Sequence, residues 1–179
     1  MDALKEQGAA QAVNTEAPKP VRICFVCTGN TCRSPMAEAL TRALAQDALA
    51  RLPDTLRSIA VPLVTATSAG LYPIEGAPIS QGACAALESE GIMPTPECDF
   101  HDHRARLIDL CTVENADLLV GMTRGHAMEL LLRFPQAASR IVCMPEEILD
   151  PYGGDEAVYR ACLQAIQKGI RALLADYYS

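Results

Sequence analysis

Between residues 27 and 34 the chain reads Cys27-Thr28-Gly29-Asn30-Thr31-Cys32-Arg33-Ser34, a cysteine and an arginine separated by five residues. That spacing suits a loop closed around a tetrahedral anion. Gly29 is free to take positive φ and Asn30 tolerates it, so successive backbone N–H groups can turn inward as a cup. A helix beginning beside Ser34 would add the positive end of its dipole. A thiol at such a rim, next to Arg33, favours the thiolate, and Ser34 is placed to donate a hydrogen bond to it. A thiolate at the base of an anion cup attacks phosphorus in line with a leaving group, while the planar fork of Arg33 grips two equatorial oxygens. The bland alternative is an ordinary strand-to-helix turn with an incidental Cys and Arg. It would not explain why strand end, glycine, arginine, serine and helix start fall in register.

The elements around this loop follow from hydrophobic spacing. Val21 to Val26 reads as a short buried strand, and a helix opened by Ser34 and Pro35 places Met36, Ala39, Leu40, Ala43 and Leu44 on one face. A second strand is expected from Val61 to Ser68, ended by Ala69-Gly70. A helix from Ile79 to about Glu90 stops at Gly91. Pro94 to His103 reads as irregular, Leu107 to Cys111 as a short helix, and Asp117 to Met122 as a third strand. A helix from Arg124 to Arg133, a strand from Arg140 to Met144 and a loop from Pro145 to Asp155 follow. The last helix is expected to bury Val158, Cys162, Ile166, Ile170, Leu173 and Tyr177. Strands alternating with helices make an α/β fold, a single-domain four-stranded parallel sheet flanked by helices, doubly wound in the flavodoxin-like manner. Ligands of such sheets bind beyond the carboxyl ends of the strands, and Cys27 stands at the first of those ends.

Composition narrows the function further. The chain has 179 residues, half of them hydrophobic, and a formal net charge of -7. Nucleic-acid binding would need a basic patch, and none stands out. The apolar runs fall far short of the ~20 residues of a membrane helix, so a soluble, cytoplasmic protein is expected. Residues 1 to 20 are polar, lack a secretory signal and read as a flexible leader, with the domain spanning 21 to 179. Eight cysteines without an export signal are expected to be reduced thiols. Cys143 and Cys162 lie in apolar patterns and read as core residues. Cys24 and Cys27 form a CxxC, but positions i and i+3 of a strand face opposite sides, so no shared metal is expected there.

The segment VCTGNTCRSPMAEAL resembles the phosphate-binding loop and first helix of the low-molecular-weight protein tyrosine phosphatase family. The similarity continues through Ser68-Ala69-Gly70, His103 to Ile108, Ala116 to Thr123 and Asp150-Pro151-Tyr152-Gly153-Gly154. The resemblance implies that family's fold, with Cys27 as nucleophile, Arg33 as transition-state binder and Asp150 as general acid. Thr28, Gly29, Asn30, Thr31, Cys32 and Ser34 would line the phosphate, and Asn30, Ser68 and His103 would belong to a network shaping the loop. His101 is a neighbouring candidate for the histidine. The implied reaction passes through a phosphocysteine, needs no metal or organic cofactor, and acts on a phosphorylated protein by an enzyme that can be a monomer. Related enzymes use a pair like Cys27 and Cys32 as a reversible shield, so Cys32 is the expected redox partner.

Thr31 stands where tyrosine-specific members of the family usually carry an aliphatic residue. Together with DPYGG and the run Met122 to His126 (MTRGH), it is similar to the protein-arginine phosphatase branch. Phosphoarginine is therefore the favoured substrate and phosphotyrosine the alternative, with Tyr152 and Asp155-Glu156 available to frame an aromatic ring. Thioredoxin-coupled arsenate reductases share the fold and a similar loop, but the spacing of Cys84, Cys98 and Cys111 does not resemble their relay.

Overall fold

The computed structural model describes residues 19–57, 63–96 and 98–177. Four parallel strands, β1 (Val21–Cys27), β2 (Val64–Gly70), β3 (Leu118–Gly121) and β4 (Ile141–Cys143), form one sheet in the order β2-β1-β3-β4. The helices are α1 (Arg33–Ala50), the single turn α2 (Asp54–Arg57), α3 (Gln81–Ser89), α4 (Leu110–Asn115), α5 (Arg124–Arg133) and α6 (Glu156–Tyr177). This is the expected α/β arrangement. The chain reverses winding direction between β1 and β3, and in such sheets ligands bind beyond the carboxyl ends of the strands at that point.

Strand alternation divides the core. Ile23, Phe25 and Cys27 face the layer built with Met36 and Leu40 of α1 and Ile166 and Ile170 of α6. Cys24 and Val26 face the other layer, with Val113, Leu119, Leu130 and Phe134. Cys24 and Cys27 therefore lie on opposite sides of the sheet, as their spacing requires. Burial pushes the Cys24 thiol up to about 12, so it is an inert core residue.

The expected element boundaries shift in several places. The expected leader lies outside the described residues except for Lys19 and Pro20, as do Val61 and Pro62 of the expected second strand. The short helix starts at Leu110 rather than Leu107, because Asp109 caps it through a hydrogen bond from the Thr112 N–H to Oδ1 at 2.7 Å. Leu107 instead donates its N–H to Glu75 and stays extended. Among its described residues, the irregular stretch before it contains one 3₁₀ turn, Phe100–Asp102.

On α6 the buried stripe is Tyr159, Cys162, Leu163, Ile166, Gly169 and Ile170. Val158 is 45% exposed and Tyr177 47% exposed, whereas Tyr159 is only 5% exposed. The expected and observed stripes share Cys162, Ile166 and Ile170 and differ at their edges. Packing against α3 selects the one containing Tyr159, whose ring occupies the space left by Gly82. A Cβ on Gly82 would stand 2.5 Å from that ring.

Candidate active site

β1 ends at Cys27 and α1 begins at Arg33, so the intervening loop sits over the helix N-terminus. Asn30 holds the loop in shape. It is fully buried and carries a φ of +54°, the only positive value on a non-glycine among the described residues. Gly29, expected to take such a value, does not have one. Asn30 accepts the conformation because its side chain is hydrogen-bonded at both ends. Nδ2 donates to Ser34 Oγ and Ser68 Oγ, both at 2.9 Å, and Oδ1 accepts the Arg106 N–H at 3.0 Å. His103 Nε2 lies 2.7 Å from the Asn30 carbonyl, while His101 pairs with Glu88 on the surface. His103 is thus the histidine of the network. Ser68 passes its hydroxyl hydrogen to Glu38 Oε2 at 2.7 Å, and Arg106 Nε donates to the Ser68 carbonyl at 2.8 Å. Gly70 lets β2 approach this closely, since a Cβ there would stand 2.9 Å from the Thr28 carbonyl.

Cys27 Sγ sits at the base of the loop. It receives the Asn30 N–H at 3.3 Å and lies 3.0 Å from Ser34 Oγ. Ser34 also reaches the Ala69 carbonyl at 3.4 Å. Arg33 is buried, its side chain 7% exposed, and its Nη2 donates to Asp150 Oδ2 at 2.8 Å. Nη1 donates to the Ile148 carbonyl at 3.3 Å, which fixes the guanidinium plane. Arg33 Nε is buried with no hydrogen-bond partner, a costly state for a charged donor and one that an anion in the cup would relieve.

The cleft over the loop has a volume of about 550 Å³. Cys27, Thr28, Gly29, Thr31, Cys32 and Arg33 form its floor, and Tyr72, Ile74, Asp150 and Tyr152 form its walls. Asp150 rides on the loop after β4, half exposed, where its second oxygen accepts the Tyr152 N–H at 3.3 Å. Thr31 Oγ1 lies 3.7 Å from Cys32 Sγ, and Cys32 Sγ lies 3.2 Å from Ser80 Oγ and 3.5 Å from the Tyr159 hydroxyl. Cys27 and Cys32 are the cysteines of the cleft. Cys84 lies on α3, Cys98 in the loop after it and Cys111 on α4, away from the lining.

Several partners were not singled out as site residues by sequence reasoning. Glu38 lies inside the first-helix segment, but only the fold shows that it takes the Ser68 hydrogen. His126 belongs to the MTRGH run and reaches Thr28 Oγ1 at 3.0 Å. Burial, reinforced by the charge of Arg33, lowers His126 to about 4. Tyr159 is pushed up to about 12 by burial and then by its contact with Cys32. Both groups are therefore neutral near pH 7. Tyr72 donates its hydroxyl to Glu129 at 2.8 Å and carries the Arg133 guanidinium 4.4 Å from its ring centre, so this wall is held from behind. Among the described residues no three His, Cys, Asp or Glu side chains converge to hold a metal ion. No described helix is long and apolar enough to cross a membrane.

Residues 22–177 match the model of the family described as low molecular weight phosphotyrosine protein phosphatase. A protein-arginine-phosphatase of Geobacillus stearothermophilus is 33% identical over 155 residues, covering 83% of this chain and 90% of its own. The solved YwlE arginine phosphatase from the same organism superposes with a TM-score of 0.70 at 32% identity, over 89% of this chain and 94% of that one. A low molecular weight protein tyrosine phosphatase from T. tengcongensis superposes with a TM-score of 0.73 at 31% identity, over 87% of this chain and 99% of that one.

Proposed function

The chain belongs to the low molecular weight phosphotyrosine protein phosphatase family, and from that premise we propose that it hydrolyses phosphoarginine in proteins, with Cys27 as nucleophile, Arg33 as phosphate clamp and Asp150 as general acid. The observation that carries the assignment of roles is the meeting of three groups in one cleft: the Cys27 sulfur, the buried guanidinium of Arg33 and the carboxylate of Asp150, brought together from β1, α1 and the loop after β4. Thr28, Gly29, Asn30, Thr31, Cys32 and Ser34 turn the anion cup around the sulfur, and Ser68 and His103 brace it through Asn30.

The phosphoryl oxygens engage Arg33, including its unpartnered Nε, and loosen its pairing with Asp150. Asp150 is then free to carry a proton to the leaving atom. The Cys27 thiolate forms an S–P bond as the P–N bond to the arginine side chain breaks, and Asp150 gives its proton to the departing nitrogen. Water next attacks phosphorus while Asp150 takes its proton. The S–P bond breaks, inorganic phosphate leaves and the thiolate is restored. The cup and Arg33 stabilise the charge that gathers on the equatorial oxygens in both steps.

Phosphoarginine is favoured by Thr31, whose hydroxyl gives the floor a polar edge suited to a guanidinium, and by the likeness to arginine phosphatases. The second reading, phosphotyrosine, is favoured by the aromatic and aliphatic walls Tyr72, Tyr152 and Ile74. A thiolate nucleophile works only while reduced, and a reducing compartment such as the cytoplasm suits it. Nothing in the mechanism requires more than one chain.

The deciding experiment compares kcat/KM for phosphoarginine and phosphotyrosine peptides, with Cys27→Ser as control. Preference for phosphoarginine supports the proposal. Preference for phosphotyrosine keeps the mechanism and replaces the substrate, and turnover that survives Cys27→Ser rules out the assigned nucleophile.

A further inference from the structure

His126 lies outside the mechanism just described, yet it is buried at the edge of the cleft between two hydroxyl groups. Its Nδ1 lies 2.8 Å from Thr123 Oγ1 and its Nε2 lies 3.0 Å from Thr28 Oγ1. Thr123 caps α5, its Oγ1 accepting the backbone N–H of His126 at 3.3 Å. That oxygen could accept a second hydrogen, but Thr123 is only partly exposed whereas Thr28 is open, so the Thr123 hydrogen is best used on Nδ1. With Nδ1 accepting, the ring proton of the neutral imidazole would sit on Nε2 and point at Thr28 Oγ1. Thr28 is exposed on the cleft floor, in the peptide that follows Cys27.

We propose that His126 is a positioning residue for phosphoryl recognition: by donating Nε2–H to Thr28 Oγ1 it turns the Thr28 hydroxyl hydrogen into the cleft, adding a side-chain donor to the backbone cup. The opposite tautomer would take the Thr28 hydrogen and leave an oxygen lone pair facing the anion, which opposes binding. A protonated ring would carry hydrogens on both nitrogens and lose the Thr123 donor. Burial and the charge of Arg33 disfavour that form, against the opposing pull of Asp150 and Glu147 from the loop after β4. This inference rests on the reading of the cleft as a phosphoryl site and deepens it.

Inorganic phosphate is the probe, measured as a competitive inhibitor of aryl phosphate hydrolysis and directly by calorimetry. Thr28→Val and His126→Leu are each expected to weaken phosphate binding by roughly tenfold, the loss of one hydrogen bond to a charged acceptor. Combined, they should weaken it no more than the worse single change, because both remove the same donor. Thr28→Ser, and His126→Gln whose amide N–H can replace Nε2–H, should retain binding. Multiplying losses in the double variant would overturn the proposal, as would a His126→Leu protein that melts earlier but binds phosphate normally. A His126→Gln protein as weak as His126→Leu would count against it equally. Calorimetry does not depend on turnover, so phosphate coupling without Cys27-dependent hydrolysis would sink the functional reading while supporting this one.

Discussion

Replacing Asn30 tests whether one buried side chain holds the anion loop closed. Asn30→Ala removes two donated hydrogen bonds, to Ser34 and Ser68, and one accepted from the Arg106 N–H. At ~1 kcal/mol net for each, the side chain contributes about 3 kcal/mol. Alanine must also keep the φ of +54°, a left-handed conformation that costs an L-residue about 1 to 2 kcal/mol. Asn30→Gly loses the same hydrogen bonds without that strain, although its freer unfolded chain costs roughly 0.4 to 1 kcal/mol. The expected order of stability is therefore wild type, then glycine, then alanine, with the alanine variant about 4 to 5 kcal/mol below wild type when the side-chain and conformational costs are added. Urea unfolding followed by circular dichroism measures these differences. Aryl phosphate turnover, measured where each variant remains folded, should fall in both because Cys27 loses the orienting loop. An alanine variant destabilised by less than about 1 kcal/mol, or one more stable than the glycine variant, would refute the claim that hydrogen bonding at both ends pins a strained backbone.

Three further outcomes follow from the same geometry. Thr31→Ile should raise kcat/KM for aryl phosphates relative to phosphoarginine, and unchanged selectivity would remove Thr31 as a selector. His126, held at about 4 in the fold against an ordinary 6.5, takes up its proton at higher pH in the unfolded chain. Its contribution to stability is complete above pH 6.5 and is lost as pH falls toward 4, by at most about 3 kcal/mol. Urea midpoints across that window should therefore drop more steeply for wild type than for His126→Gln. Peroxide should oxidise Cys27 to a sulfenic acid, whose sulfur the Cys32 thiol attacks to form a disulfide as the hydroxyl leaves as water; activity should be lost and then restored by a dithiol. Closure requires Cys32 to leave Ser80 and Tyr159, so irreversible loss with no linked pair by mass spectrometry would show that those contacts keep it as a packing residue.

The strand end at Cys27, the helix start at Arg33 and the loop between them were legible in the sequence, because each rests on local spacing. The family resemblance pointed to Asp150, which the structure brings to Arg33, and the alternation of strand and helix patterns called for a parallel sheet. Ser68 and His103 were expected at the loop and meet it, but other partners were not foreseen in that role. Arg106 reaches Asn30 across 76 residues, His126 reaches Thr28 across 98 and Tyr159 reaches Cys32 across 127, and no periodicity records such distances. The last helix shows the same division on a smaller scale. Its period announced an amphipathic face, but Val158 and Tyr159 both fit an apolar stripe. Only the packing of α6 on α3, where Gly82 leaves room for a ring, decided that Tyr159 turns inward while Val158 faces out. Burial is a property of what packs against a residue, and that is settled only when the whole chain has closed on itself.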